Sequence, residues 1–166
     1  MLAQGRVDAI TGFWFSSYMN LKANGVKGDD IVVLHMRDHG VDLYGNVIIA
    51  NPDVMRFQPK AISGFVRATI RGIQDTLRDP DAAIDSLMKR NPIAKRDVEL
   101  ERLKLSLEKN FVTPDVRRNG LGAVDMKRLE RSIEQIGLTF QYTNKPKAAD
   151  IFTAQYLPPR EQRLVK

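Results

Sequence analysis

The chain has 166 residues, 43% hydrophobic and 28% charged, with 26 Lys and Arg against 20 Asp and Glu and a formal net charge of +6. Those proportions exclude a largely disordered chain and suit one domain with a core, or parts of two. The chain has no cysteine, which excludes disulfides, Cys-ligated zinc and a thiol nucleophile together.

Taken in chain order, "VDAITG" (7–12) is a short β-branched run and reads as a first strand. The segment "SSYMNLKANG" reads as a short helix that Ser16 or Ser17 can cap and Gly25 can end. "IVVLHM" (31–36) and "YGNVIIA" (44–50) are two further strand-like runs, so the first third reads as α/β with a parallel pair and a crossover. Asn51-Pro52 is an N-cap followed by proline at the first helical position. Pro59 opens another helix, in which Ile62, Phe65, Val66, Ile70, Ile73 and Leu77 recur at helical spacing. Asp79-Pro80 repeats the cap-plus-proline device for a helix to about Arg90, and after Pro92 a charged amphipathic helix runs to about Asn110. Thr113-Pro114 starts a short turn of helix. The glycine-rich "RNGLGAVD" (118–125) reads as a turn feeding an Asp125 cap, after which Leu129, Ile133 and Ile136 share a face that Gly137 ends. The tail from Tyr142 reads as irregular, wrapping over a surface before fraying. Three strands followed by several helices leave a sheet edge unpaired, which predicts either dimerisation or membership of a larger protein.

The basic excess does not by itself predict nucleic-acid binding. In "RDVELERLKLSLEKN" the cations are interleaved with carboxylates, as in solvated helix faces with i,i+3 and i,i+4 pairs, and no phosphate-tracking stripe stands out. No apolar run approaches the roughly 20 residues that span a bilayer, and "MLAQGRVDA" lacks the basic-then-apolar layout of a signal peptide. Read alone, the sequence looks soluble and cytoplasmic. His35 and His39 are four apart on a strand running into a loop, the wrong local geometry for joint metal ligation. No nucleophile elbow, phosphate loop or dinucleotide fingerprint is present, so no catalytic residue is assigned.

Two groups of residues remain as candidates. "GFWFSSY" (12–18) follows the carboxyl end of a predicted strand, where ligands of open α/β sheets bind. Phe13 and Trp14 there could stack on a flat ligand, or fill the core between sheet and helix. In "DHGVDLYGNVIIANP", Asp38, Tyr44 and Asn46 could be polar ligand contacts or turn formers beside Gly40 and Gly45.

The ordered set "QGRVDAITGFWFSSYMNLKANGV", "YGNVIIANPDVM", "PKAISGFVRATIRGIQDTLRDPDAAIDSL" and "DIFTAQYLPP" resembles the solute-binding proteins of bacterial ABC importers. The group it most resembles carries thiamine-pyrimidine precursors, sulfonates and nitrate and is often termed thiamine-biosynthesis-like. The resemblance implies a type II periplasmic-binding-protein fold, two α/β lobes closing on a hinge, of which this chain matches the C-terminal part. It implies that residues 1–43 end the second lobe and 44–51 cross between lobes. Residues 52–166 would then be helices packing mainly on the first lobe, whose remainder would lie upstream. It also implies an exported, non-enzymatic receptor without cofactor or metal, whose partners are a small ligand and permease subunits and which does not bind nucleic acid. A homodimer through the unpaired edge is a further expectation. Ligand contacts would fall to Phe13, Trp14, Asp38, Tyr44 and Asn46. Where pyrimidine-binding members carry an acidic residue shortly after the aromatic matching Phe13, this chain has Ser16 and Ser17, which widens the expected ligands to other aromatic or anionic molecules. The alternatives are an enzyme of the pyrimidine-synthesis type, whose fungal cysteine-rich motif is missing here, and a helical interaction module built on residues 95–137.

Overall fold

The computed structural model describes residues 1–165. Among them the regular elements are all helical: α1 (Trp14–Ala23), α2 (Pro52–Phe57), α3 (Pro59–Arg78), α4 (Pro80–Arg90), α5 (Arg96–Ser106), α6 (Pro114–Asn119), α7 (Met126–Gly137) and α8 (Ala148–Ile151), with short 3₁₀ turns between them. The expected α/β fold with three strands is therefore overturned. Segments 7–12, 31–36 and 44–50 form no strand among the described residues; the second ends in a 3₁₀ turn at Met36–His39. β-branched side chains favour extended backbone, but a strand exists only where a second backbone takes up its N–H and C=O groups. These runs have no such neighbour among the described residues, and several of their apolar side chains face outward: Val32 is 83% exposed and Ile49 88%.

The helix boundaries follow local chemistry closely. Asn51 Oδ1 accepts from the Asp53 N–H at 2.8 Å, Asp79 Oδ1 from Ala82 N–H at 2.9 Å, and Asp125 Oδ1 from Lys127 and Arg128 N–H at 2.9 and 3.2 Å. Each cap satisfies an N–H that the helix cannot, typically contributing about 1 kcal/mol. Helix α1 departs from expectation. It starts at Trp14 with Phe13 as an N-cap that makes no side-chain bond, so neither Ser16 nor Ser17 caps it. Its other end does stop at Gly25, with φ +87°: Gly25 N–H donates to Lys22 C=O at 2.9 Å and Val26 N–H to Leu21 C=O at 3.1 Å, the Schellman arrangement. The helix expected to reach Asn110 changes hand-hold instead. After Ser106 it continues as a π-helical turn over Leu107–Phe111.

The chain divides into two compact units. The first comprises Met1–Leu34 and Gly72–Thr113. In it α5 packs against α1, α4 and the π-turn, around the buried side chains of Met19, Ile84 and Leu107. Arg96 spans from α5 to two carboxylates of α4, Asp81 at 3.0 Å and Asp85 at 2.9 Å, and these hydrogen bonds raise its pKa further.

The second unit comprises His35–Arg71 and Pro114–Lys166. Its buried apolar residues are Val66 and Ile70 of α3, Leu121, Ile133 of α7, Ala148 of α8, and Val165. Of the apolar positions expected on α3, Phe65 faces outward, because it lies about 100° around the helix from the stripe through Val66 and Ile70. The 118–125 turn is as expected, with Gly120 and Gly122 at positive φ. A Cβ on Gly120 would come within 3.0–3.2 Å of Arg163, two of the three contacts being backbone atoms, so both conformation and space require glycine there.

That close approach also corrects the expected fraying of the tail. Leu121 N–H donates to Arg163 C=O at 2.8 Å, while the Arg163 guanidinium donates to Leu121 C=O at 2.7 Å and Pro158 C=O at 2.9 Å. Partial burial, with neighbouring Arg160 second, pushes the Arg163 pKa down. The reciprocal bonds end the tail on a fixed backbone, and Val165 is buried beyond them.

Candidate ligand-binding residues

Phe13 and Trp14 lie in the first unit, and Asp38, Tyr44 and Asn46 in the second. In the first, the aromatics of residues 13–18 form a connected group at the start of α1. Phe13 and Phe15 have ring centroids 5.9 Å apart, Trp14 meets Phe15 edge-on at 6.3 Å, and Trp14 and Tyr18 lie 6.4 Å apart. These are the separations at which aromatic pairs attract beyond simple area burial.

The two alternative roles considered for these aromatics separate between neighbouring residues. Trp14 is half-buried and donates its indole N–H to Asn110 Oδ1 at 3.3 Å. That bond ties α1 to the π-turn, where Asn110 is carried. Phe13 is 55% exposed and presents most of its ring to solvent.

Beneath this group sits Arg102 of α5, which sequence reasoning passed over. Its Nη1 donates to Ser16 Oγ at 2.9 Å and its Nη2 to Asn20 Oδ1 at 3.2 Å. Its Nε lies 3.2 Å from Glu99 Oε2, an ion pair without a hydrogen bond at that nitrogen. Ser16, expected as a cap, is therefore used sideways, as the acceptor that locks α1 onto α5. The Glu99–Arg102 spacing of three was visible in the sequence as one of the i,i+3 pairs; the two further partners of Arg102 on α1, Ser16 and Asn20, were not.

In the second unit Asp38 is exposed within the Met36–His39 turn, and its carboxylate lies 3.6 Å from the Arg37 guanidinium. Asn46 is exposed and makes no hydrogen bond among the described residues. Tyr44 is held firmly. Its hydroxyl oxygen accepts from the Asp125 N–H at 2.8 Å, and the Arg128 guanidinium sits 4.1 Å from its ring centroid.

Arg128 is the centre of this arrangement. It pairs with Asp42 Oδ1 at 2.8 Å and donates to Leu43 C=O at 2.9 Å and Asp42 C=O at 3.4 Å. Ser132 Oγ, buried, also donates toward Asp42 C=O at 3.4 Å, and Gln135 donates to Gly40 C=O. Arg128, Ser132 and Gln135 recur at i, i+4 and i+7 along α7, next to its apolar face. They supply to the carbonyls of residues 40–43 what a neighbouring strand would otherwise provide. That polar stripe was legible in the sequence as a pattern, though not its target.

Chemically, the first unit offers an exposed aromatic face backed by a fixed tryptophan. The second offers a polar segment clamped onto a helix. Among the described residues neither contains a cluster of groups able to hold a metal ion.

Residues 1–83 match the sequence profile of the family described as NMT1/THI5 like. Over 160 residues the chain is 25% identical to the riboflavin-binding protein RibY of Chloroflexus aurantiacus, which covers 93% of this chain and 44% of that protein. Over 114 residues it is 30% identical to the formylaminopyrimidine-binding protein of Halalkalibacterium halodurans, covering 65% of this chain and 34% of that protein. The chain thus spans less than half the length of these curated relatives. No solved structure matches it.

Proposed function

The chain belongs to the NMT1/THI5-like family, and on that premise we propose that it acts in a solute-binding receptor of an ABC importer, taking a small aromatic, pyrimidine-like or anionic ligand. The observation that carries this reading is the alignment over 93% of the chain with a protein named for binding riboflavin. A second relative is named for binding a formylaminopyrimidine, again a flat nitrogen heterocycle. A flat ligand suits the aromatic group at the start of α1. Phe13 has open ring area to stack on it, and Trp14, held by Asn110, keeps Phe13's neighbours in place.

In this reading Asp38, Tyr44 and Asn46 supply polar contacts to the ligand or control hinge motion, Asp38 and Asn46 being exposed. Binding shifts the receptor toward a closed form because some ligand contacts exist only there. The permease subunits of an importer are its protein partners, and a second copy of the chain is a further one. Such a receptor works outside the cytoplasm. Among the described residues no helix is long and apolar enough to cross a membrane. The relatives are named for binding, and the proposal is correspondingly a receptor and not an enzyme of pyrimidine synthesis.

Trp14 is the single tryptophan, so its fluorescence reports on the proposed site without labelling. Titration with riboflavin, a formylaminopyrimidine and an aromatic sulfonate is expected to give a saturable change with at least one of them, with the heat of binding measured in parallel. Phe13→Ala should weaken that binding while leaving the far-UV circular dichroism unchanged. No saturable response to any ligand class, or an affinity indifferent to Phe13, would refute the assignment.

A further inference from the structure

Away from these residues, the second unit has an open depression of about 480 Å³ lined by Pro59, Lys60, Ser63, Arg67, Gln155 and Tyr156. Lys60, Ser63 and Arg67 fall at i, i+3 and i+7 of α3 and so share one face over two turns of helix, about 10 Å along the axis. The opposite wall is the C-terminal segment. It is fixed beside α2 by the Tyr156 hydroxyl, which donates to Met55 C=O at 3.3 Å.

The lining has one sign. It holds an ammonium, a guanidinium, a hydroxyl and a side-chain amide, with no carboxylate. Among the described residues Lys60 and Arg67 have no acidic partner, whereas Arg78 at the far end of the same helix and Arg96 of α5 each pair with aspartate. From residue 59 to residue 74 the helix carries Lys60, Arg67 and Arg71 and no acidic residue at all. Elsewhere in the chain cations and carboxylates are interleaved, so this departure marks the depression as a place where negative charge from outside is favoured.

Its size narrows the ligand. An inorganic ion would leave most of the space open, while 300–1,000 Å³ is roughly the range of small-molecule sites. Guanidinium and ammonium groups meet phosphate oxygens through charge-assisted hydrogen bonds, and the Tyr156 ring offers an apolar wall for the rest of the molecule. We propose that this depression binds the phosphate monoester of a small molecule, with Lys60 and Arg67 on the phosphate and Ser63 and Gln155 as further donors. The site is independent of the receptor reading and shares no residue with the aromatic group of α1.

The test is a ¹H–¹⁵N NMR titration of the 166-residue chain with phenyl phosphate, with inorganic phosphate, and with vesicles containing an anionic phospholipid. Phenyl phosphate is expected to shift the resonances of residues 60, 63, 67 and 155 saturably, more tightly than inorganic phosphate and with weakening as salt rises. In Lys60→Gln/Arg67→Gln the dissociation constant should rise at least tenfold; both residues are exposed, so the fold is expected to survive. Arg67→Gln alone should give an intermediate loss and checks the site if the double variant fails to fold. The proposal is overturned by an absence of saturation, by phenyl phosphate binding no tighter than inorganic phosphate, by affinity unchanged in these variants, or by binding to the vesicles alone.

Discussion

Ile84→Ala is expected to lower the free energy of unfolding by about 3 kcal/mol, the middle of the range for removing a large aliphatic side chain from a packed core. Ile84 is 3% exposed and sits on α4 where that helix meets α5. Among the described residues of the first unit only Met19, Ile84 and Leu107 are buried apolar side chains. A core this small has little to collapse into the space left, so the cavity term adds to the lost transfer energy. Urea denaturation followed by Trp14 fluorescence measures the change in the same unit. The outward-facing Leu138→Ala, at 86% exposure, is the control and should change stability by less than about 0.5 kcal/mol. A loss at Ile84 no larger than the control's would mean that α4 and α5 do not share a core.

The second large effect is expected at Arg128. Arg128→Met removes a charge-assisted pair with Asp42, two bonds to main-chain carbonyls and the cation over Tyr44 while keeping much of the apolar stem. Because Arg128 is part-exposed, solvent screening moderates the ionic part, and a loss of about 2 kcal/mol is expected from the group as a whole. More diagnostic is where the loss appears. The backbone carbonyl ¹³C resonances of Asp42 and Leu43 should shift, and those of α3 should not. Arg128→Lys should fail to restore the arrangement, since an ammonium cannot both stack on the ring and reach separate acceptors in a plane. Full rescue by lysine would reduce Arg128 to a simple surface charge.

What could be read in the sequence divides by range of interaction. The caps at Asn51, Asp79 and Asp125 were legible because a cap is settled within four residues, and proline or glycine nearby confirmed them. The glycine turn at 118–125 was legible for the same reason, but not that Arg163 presses on it from 43 residues further along the chain. The strand expectation failed because pairing is non-local: the runs are β-prone, yet no second strand among the described residues pairs with them. Ser16 failed as a cap because the helix begins two residues before it, at Trp14, and its hydroxyl instead accepts from Arg102, 86 positions away. Of the polar candidates Asp38, Tyr44 and Asn46, the sequence could not say that Tyr44 alone would be fixed, since its partners are Arg128 and the N-terminus of α7.

The outward-facing run of Val47, Ile48 and Ile49 has a colloidal consequence. It is uncharged, β-branched and outside any helix, with 68%, 52% and 88% of each residue's surface open to water, and the first proline after it is Pro52. Such a run is a template onto which like segments of other molecules can add. The long-range repulsion between copies of a +6 chain opposes that addition. That repulsion reaches about 30 Å at 0.01 M salt and about 10 Å at 0.1 M. Solubility of the chain should therefore fall as ionic strength rises, and static light scattering across a salt series would show whether it does.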